Sequence, residues 1–537
     1  MAALGSFEDV NGRTQLFYAT AGISLCLIIL HYLFNLFRTG LRSIPGPFLA
    51  HLTSLYRIRL VWRGGAVKNY RALHKKYGPI VRTGSHHISI SDPTEIPLVY
   101  GVASKFRKSQ FYQLSTPYYE GKVSQSQLLF GFRKGRNQKV DSMFTVIDPV
   151  EHRDLRAPTA QVYSMTNIRN YEQHIDECTD IFFDILKDLD GREDQDFTHF
   201  FNFYTFDVIT AITYQKRMGF LKARSDVYRM LEGIDVQALY FAYVGQFPHL
   251  HKFLYGNRAF IKFVQWLAPN MPDPLADLHR QVAIEIDRYD TEGRQPDRKD
   301  FLAQLRAKDD PYREHFRRDM TNHLSNNIIA GSDTTSIAIR AIFYHLTKSP
   351  KVYIQLQAEL DDADARRQFS KFVTYDESLK LPYLQAVIRE AMRVHPSNCY
   401  PLERIVPPGG AEILGHHIPG GVNVAMMAPI LNRAESIYGQ DAEQFRPERW
   451  LEASPEALKA MDRSYFTFGH GSRGCIGKNI ALLEIAKFVP QVLRYWKVEW
   501  TLGDEPWETH SMWFYKQTVH FKFTARPGKA WKSLDGE

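Results

Sequence analysis

One glycine-rich loop constrains this chain more than any other segment. Residues 466–477 read FTFGHGSRGCIG, and Phe468, Gly471, Arg473, Cys475 and Gly477 fit the pattern F-x-x-G-x-R-x-C-x-G. At average residue usage, such a pattern occurs by accident in roughly one chain of this length in ten thousand. Glycines let the backbone fold tightly against a flat partner, and arginine can clamp a carboxylate. A cysteine in such a loop, just before a helix, is placed to be a thiolate metal ligand.

The cysteines also indicate the compartment. Cys26, Cys178, Cys399 and Cys475 are scattered over 537 residues, without a C-x-x-C pair or zinc-ligand spacing. This distribution argues against a disulfide framework and for a reducing compartment, and the sequence has no N-x-S/T acceptor. A lone cysteine is by default a buried structural thiol. At Cys475 the surrounding glycines and arginine favour the ligand interpretation.

Residues 16–37 form an apolar stretch long enough to span a membrane. A cleaved signal peptide, a core helix and an interfacial helix fit less well, because the stretch is too long, apolar nearly all round and without a charged face. Arg38 and Arg42 follow it, while Glu8 and Asp9 precede it, which places the bulk of the chain in the cytosol. The predicted organisation has four parts. Residues 1–15 form a short lumenal segment, residues 16–37 a signal anchor, residues 38–48 a proline-rich hinge and residues 49–537 one catalytic domain.

The body of the chain is predicted to be mainly α-helical with small β-sheets. A helix is expected around residues 67–77, ended by Gly78 and Pro79, followed by a hairpin formed by IVRTG and HISIS. Helical spacing dominates from about residue 151 to 360. The tail from Phe514 alternates like a strand. The net charge of +8 suits an anionic membrane face or an acidic protein partner, and no nucleic-acid-binding motif is present.

A polar acid–alcohol pair interrupts an apolar helical segment, IIAGSDTTSIAIRAIF, from Ile328. Asp333 and Thr334 follow two small residues, Ala330 and Gly331. Polar groups inside an apolar helix are costly unless they are partnered or used. A local helix distortion with a solvent-facing aspartate explains the pair equally well in isolation.

Three further polar motifs are weak signals individually. Glu390 and Arg393 lie three residues apart on one helix face, and FRPERW carries Arg449. His152 and Arg156 lie four residues apart in EHRDLR. Exposed pairs of this kind are common and contribute little to stability.

Together these motifs resemble the cytochrome P-450 family, in the family's order and over the whole chain. The region from residue 68 to 112, with KYGPIVRTG and KSQFY, looks most like fungal enzymes of the pisatin-demethylase-like group. The resemblance implies haem b with Cys475 as the axial thiolate ligand. It assigns Ala330 and Gly331 to an oxygen groove, Thr334 to hydrogen bonding and Asp333 to proton relay.

The resemblance also assigns the remaining polar motifs. The residues expected to bind the haem propionates are His152, Arg156, Arg404 and Arg473, and the loop residues Phe468 and Gly477 complete the haem site. A buried network of Glu390, Arg393 and Arg449 is expected to be structural. The Arg473 side chain and nearby backbone N–H groups are expected to keep the thiolate from protonating.

The function implied is a monooxygenase that inserts one oxygen atom into a hydrophobic small molecule, a fungal secondary metabolite. Electrons are expected from NADPH through a membrane-bound cytochrome P-450 reductase, with cytochrome b5 as a further partner, at the endoplasmic reticulum membrane. A basic reductase-docking face is predicted to contain some of Arg153, Lys478 and Lys487.

Two alternatives stay open at this point. One is a haem-thiolate isomerase, dehydratase or peroxide-dependent enzyme without a reductase, and the other is a haem-binding sensor or carrier. Retention of Asp333 and Thr334 argues against both. Pocket walls are expected at residues 113–132 and near Ala330, Pro401 and Met512.

Overall fold

The structure is a computed structural model that describes residues 5–116, 118–119, 138–139, 141–271, 274–292, 298–308 and 316–534. The α-helices in its first half are α1 Gly5–Leu36, α2 Phe48–Leu52, α3 Tyr56–Val61, α4 Ala66–Tyr77, α5 Ile96–Tyr100, α6 Pro149–Ala160, α7 Met165–Ile168, α8 Glu172–Asp188, α9 Thr198–Tyr214, α10 Phe220–Ala223, α11 Met230–Val244 and α12 Arg258–Leu267. Those in the second half are α13 Pro274–Glu292, α14 Phe301–Ala307, α15 Phe316–Thr347, α16 Pro350–Ala365, α17 Tyr375–Ser378, α18 Pro382–Val394, α19 Ala428–Leu431, α20 Glu435–Tyr438, α21 Arg449–Glu452, α22 Pro455–Ser464 and α23 Lys478–Tyr495.

The strands are short. They are β1 Ile80–Gly84, β2 His87–Ile90, β3 Arg107–Lys108, β4 Tyr118–Tyr119, β5 Gln138–Lys139, β6 Gln195–Asp196, β7 Arg404–Ile405, β8 Ala411–Ile413, β9 His416–Ile418, β10 Asn423–Ala425, β11 Trp496–Trp500, β12 Thr509–Ser511, β13 Tyr515–Gln517 and β14 His520–Ala525. One sheet has the order β1-β2-β10-β7-β3 and a second the order β11-β14-β6; the rest pair in twos. The expected class, mainly α with small sheets, is confirmed.

The local predictions hold with one change. Helix α4 ends where Gly78 adopts a φ of +95°, a conformation that favours glycine. The predicted hairpin is the antiparallel pair β1–β2. The alternating tail forms two strands, β13 and β14, rather than one, and β14 pairs with β11 while β13 pairs with β12.

The apolar N-terminal segment is part of α1. Residues Thr14–Leu36 have a mean hydropathy of 1.9 and are long and apolar enough to cross a membrane. The last turn of α1 differs from the rest of the apolar span, because Asn35 is polar and buried. Its Nδ2 donates to the Leu52 carbonyl of α2, at 2.9 Å. The end of the apolar helix is therefore fastened to the globular body.

The two central helices are α9 and α15. Helix α9 is buried all round from Phe201 to Tyr214, as expected of a helix without a polar face. Its threonines remain compatible with burial because their hydroxyls donate to carbonyls one turn back, as Thr213 does to Ile209, at 2.6 Å. Helix α15 packs against α9, α13, α18 and α23, which places the acid–alcohol pair at the centre of the molecule.

Candidate active site

The glycine-rich loop joins α22 to α23 and is held in one conformation by its own backbone. The Cys475 N–H donates to the Phe468 carbonyl at 2.8 Å, and the Gly474 N–H donates to that of Gly471 at 3.0 Å. Gly471 has a φ of +65°, and a Cβ there would lie 2.0 Å from the Tyr100 carbonyl oxygen. Only glycine fits this close approach.

Cys475 presents an exposed side chain at the end of this loop, three residues before α23 begins. The surrounding protein desolvates the thiol and raises its pKa, but the backbone N–H of Gly477, the charge of Arg156, and the N–H and charge of Lys478 oppose that shift. Arg156 also donates to the Gly474 carbonyl at 2.9 Å. These groups favour a thiolate, since N–H donors and positive charge stabilise the anion.

Arg473 was expected to stabilise the thiolate. In the structure, Arg156 is the arginine whose charge acts on the Cys475 thiol. The Arg473 guanidinium donates instead to the carbonyls of Val146, Ile147 and Asp148, at 2.8, 3.0 and 3.2 Å. It therefore ties the cysteine loop to the segment that precedes α6.

Gly477 marks space beside the loop. Its φ is −80°, and a Cβ there would meet no protein atom within 4 Å. The protein itself gives no reason for glycine at this position, whereas a flat group lying against the loop does. Phe468 is partly buried, and the Lys478 ammonium lies 5.5 Å from the centre of its ring.

On α15, Ala330 is exposed although the helix runs through the core. Gly331 faces elsewhere, because a Cβ on it would lie 2.9 Å from Ile209 of α9; its small size is explained by helix packing. The Thr334 hydroxyl donates to the Ala330 carbonyl at 2.7 Å, and the Thr334 carbonyl accepts from Ser397 at 2.6 Å. Ala330 and Thr334 thus lie on the accessible side of α15.

Asp333 is fully buried, so the solvent-facing alternative is wrong. Its Oδ1 accepts from Asn202 Nδ2 at 2.6 Å, and its Oδ2 lies 2.7 Å from Lys516 Nζ. Lys516 also bonds Asp235, at 2.5 Å, whose side chain is 56% exposed. Burial lowers the pKa of Lys516, but Asp333 and Asp235 outweigh it, so the pKa is raised overall. The lysine remains charged between a buried and a surface carboxylate.

Basic side chains gather beside the loop, and none of them has a negative partner among the described residues. The group comprises Lys108, His152, Arg156, Arg404 and Arg473. Among the described residues, none of these five forms an ion pair with a carboxylate. Desolvation, followed by Arg473, Lys108 and Arg156, lowers the pKa of His152 to about 3. Mutual repulsion of this kind calls for an anionic partner.

Lys108 is the member that sequence reasoning missed. It is buried, donates to the Phe144 carbonyl at 2.6 Å, and has a pKa well below its usual range because of desolvation and then Arg404, Arg473 and Arg156. Its only sequence signal was its place in KSQFY. Arg404 donates to the Tyr112 hydroxyl at 3.0 Å.

Glu390, Arg393 and Arg449 meet in a buried network. Glu390 accepts from Arg393 Nε at 2.8 Å, from Arg449 Nε at 2.9 Å and from Trp450 Nε1 at 2.9 Å. Arg393 also donates to the Asn432 carbonyl at 2.6 Å. The Glu390 carboxylate and the guanidinium groups of Arg393 and Arg449 are therefore all hydrogen-bonded, which buried charges require.

Asn432 connects this network to the cysteine loop and was not predicted. Its Oδ1 accepts from the Phe466 N–H at 2.8 Å, and its Nδ2 donates to the Thr467 hydroxyl at 2.9 Å. Arg393 thus fixes, through one amide side chain, the first residues of the loop that ends in Cys475.

The family model for cytochrome P-450 matches residues 43–525. The chain belongs to the cytochrome P-450 family. The donor set agrees with that membership: an accessible cysteine on the loop, an accessible face of α15 and unmatched cations fit a thiolate-bound haem with two propionates. As a member of this family the protein is a haem-thiolate monooxygenase.

Similar cytochrome P-450 enzymes come from filamentous fungi. The chain is 33% identical to cytochrome P-450 monooxygenase cicH of Emericella nidulans, over 96% of this chain and 98% of that protein. It is 32% identical to monooxygenase gsfF of Penicillium aethiopicum, over 96% and 99%. It is 30% identical to pisatin demethylase of Fusarium vanettenii, over 91% of each. The expected resemblance to pisatin demethylase is confirmed.

Proposed function

We propose that this enzyme inserts one atom of O2 into a hydrophobic secondary metabolite, with electrons from NADPH through a separate reductase. The observation that carries this proposal is the accessible Cys475 thiol on its constrained loop, together with the acid–alcohol pair on α15. Turnover by the full-length holoenzyme with NADPH and a fungal reductase, measured as incorporation of one labelled oxygen atom into product, tests it. Product formation without NADPH would favour the isomerase alternative, and haem binding without turnover the carrier alternative.

In this proposal Cys475 would hold haem b through its thiolate, and the five basic side chains beside the loop would hold its propionates. Bound haem supplies the electron transfer and O2 activation, and thiolate ligation favours O–O cleavage. Arg156 and the N–H groups at the start of α23 favour the deprotonated sulfur and oppose the desolvation that raises its pKa. Lys108 and Arg404 bind the propionates, which offsets the cost of burying them.

Protons reach the site from the surface through charged residues. Asp235 lies at the exposed end, Lys516 bridges it to Asp333, and Thr334 is the next residue on the accessible side of α15. Thr334 Oγ1 holds the proton that is delivered to reacting oxygen, and Asp333 resupplies it. Asn202 fixes the carboxylate in place.

Replacing Thr334 with alanine should divert reducing equivalents into hydrogen peroxide while haem content stays normal. A general acid contributes about 100-fold or more to its step; since water can replace part of this, we expect product per NADPH to fall about tenfold. Product, peroxide and NADPH consumption measured together check the prediction.

Thr334→Ser is the matched control, because it keeps the hydroxyl and should retain most coupling. Full coupling in the alanine variant would remove Thr334 from proton delivery.

The substrate is expected to be hydrophobic. Phe111 stacks on Tyr400 and on Trp513, with ring centres 4.8 and 5.3 Å apart, in a buried cluster beside the predicted wall positions Pro401 and Met512. Apolar surroundings of this kind suit a hydrophobic compound. Of the wall predicted at residues 113–132, positions 117 and 120–132 lie outside the described residues.

The predicted docking face loses one member. Lys487 is 2% exposed and lies 2.8 Å from Glu172 and 2.9 Å from Asp176; it is a structural cation and does not belong to that face. Arg153 and Lys478 are exposed and remain the proposed contacts for an acidic reductase.

Charge reversal at Arg153 and Lys478 should raise the reductase concentration needed for half-maximal turnover about three- to tenfold, because rim charges steer association. Titration with reductase at low and high salt checks this, and the difference should shrink at high salt. Lys222→Glu, an equal reversal at an exposed site on α10, is the control. Equal effects of all three reversals would contradict a specific docking face.

The membrane arrangement is proposed from α1. The span at 14–36 with Arg38 and Arg42 after it fits a single-pass anchor in the endoplasmic reticulum, with the catalytic domain cytosolic. This placement brings the enzyme close to lipid-dissolved substrates and to a membrane-bound reductase. Cytochrome b5 fits the same basic face.

A further inference from the structure

A polar cavity lies where the apolar helix meets the globular body. It has a volume of about 400 Å³ and is bounded by the end of α1, the turn between β1 and β2 and the 3-10 helix Pro248–Phe253. His31, His86, His87 and His249 all line it, and none of the described lining residues is acidic. Its volume falls within the range of small-molecule sites, and nothing in the proposed catalysis uses it.

Positive charge surrounds this cavity. Neither Arg38 nor Arg82 lines the cavity itself: Arg38 hydrogen-bonds the ring of His86 in its wall, and buried Arg82 donates to the Ser85 carbonyl of the same turn and to the Asn35 carbonyl at the end of α1. Among the described residues neither arginine pairs with a carboxylate, whereas the nearby Arg57 is matched by Glu403. Desolvation, and then Arg38 and Arg82, lower the pKa of His86 to about 4. Two unmatched guanidinium charges therefore favour an anion here.

The cavity wall also carries buried polar atoms that lack partners among the described residues. They are the side-chain oxygens of Asn35, Gln246 and Asn423 and the Nδ1 of His87. Asn35 and Gln246 are only 1% and 2% exposed. Leaving such an atom unsatisfied is destabilising, so a ligand that supplies the missing hydrogen bond gains affinity. The three oxygens call for hydrogen-bond donors, so a bare phosphate satisfies only part of the wall.

We propose that this cavity binds the headgroup of an anionic, hydroxyl-bearing phospholipid, of the phosphatidylinositol class. The arginines attract the phosphate, and the amide oxygens accept hydrogen bonds from the headgroup hydroxyls. A soluble phosphate ester has the same chemistry. The lipid is favoured because His31 and Asn35 belong to the helix whose apolar span ends at the cavity. The preference for a lipid over a soluble phosphate ester rests on the membrane placement proposed above; the rest of the proposal does not.

Binding can be measured on the full-length holoenzyme in detergent, with short-chain phosphatidylinositol as the titrant. Phosphatidylserine of equal chain length and charge is the first comparison, and soluble inositol phosphate is the second. We expect phosphatidylinositol to bind at least about tenfold more tightly than either, because phosphatidylserine lacks the ring hydroxyls that the amide oxygens accept and inositol phosphate lacks the acyl chains. Arg38→Gln should weaken phosphatidylinositol binding at least about tenfold, because it removes the charge that attracts the phosphate.

Arg42→Gln is the matched control, because Arg42 is an exposed arginine four residues further on, whereas Arg38 hydrogen-bonds His86 of the cavity wall. It should bind phosphatidylinositol like the unaltered enzyme. If Arg38→Gln lowers the unfolding temperature without lipid, His87→Ala replaces it and should weaken phosphatidylinositol binding likewise, because His87 lines the cavity with an Nδ1 that has no partner in the described part of the chain. Equal affinity for the two lipids, or equal losses at Arg38 and Arg42, would overturn the proposal in favour of bulk charge attraction.

Soluble inositol phosphate binding as tightly as the lipid would also overturn the lipid assignment. Because the measurement uses detergent and no turnover, its result is independent of whether the enzyme oxidises the proposed substrate class.

Discussion

Replacing Cys475 with alanine should abolish the thiolate-type absorption band of the reduced, carbonyl-bound protein and all NADPH-dependent product formation. The loop holds this sulfur on a backbone fixed by the Phe468 carbonyl and by Gly471, and Arg156 lies beside it. No nearby side chain can replace a thiolate, so loss of turnover should exceed about 1000-fold. Absorption spectra and haem content of the purified variant check the prediction.

Cys26→Ala is the control, because Cys26 is an exposed cysteine in the apolar part of α1. It should retain both the band and the activity. Retention of the thiolate band in the Cys475 variant would show that the ligand lies elsewhere, and the assigned loop would then be structural.

Replacing Glu390 with glutamine should destabilise the fold by about 3–5 kcal/mol, the cost of breaking a buried ion pair from one side. Arg393 would keep a buried charge without a carboxylate, and Arg449 would keep only its bond to Asp441. Because Arg393 reaches the cysteine loop through Asn432, the haem site should loosen before the rest of the molecule. Denaturant unfolding followed by haem absorption and by far-ultraviolet circular dichroism measures both effects.

The exposed pair Arg366 and Asp362 provides the control. Their side chains lie 3.0 Å apart and are 65% and 58% exposed, so Arg366→Ala should cost about 0–1 kcal/mol. Equal costs at Glu390 and Arg366 would contradict a buried structural network.

The parts of the site that sequence predicts are those encoded locally. The cysteine loop depends on glycines and an arginine within ten residues of Cys475, and the acid–alcohol pair lies on one helix. Secondary structure around α4 and the β1–β2 hairpin follows from proline, glycine and alternation, which are also local signals.

The parts that sequence does not predict depend on contacts between distant segments. Lys516 lies beside Asp333, and only the folded chain brings β13 to α15. In the sequence, Lys487 looks like a surface residue. In the fold, α23 packs on α8, and two carboxylates of α8 neutralise the lysine. Lys108 and Asn432 have no pattern of their own, because a single buried polar residue is identified only by its partners.

The central claim is that a haem is bound through a cysteine sulfur in this chain. The most direct measurement is the absorption spectrum of the purified full-length protein after reduction and addition of carbon monoxide, with porphyrin supplied during expression. We predict the red-shifted band that thiolate ligation gives. A colourless protein, or a band typical of an imidazole ligand, would contradict the account.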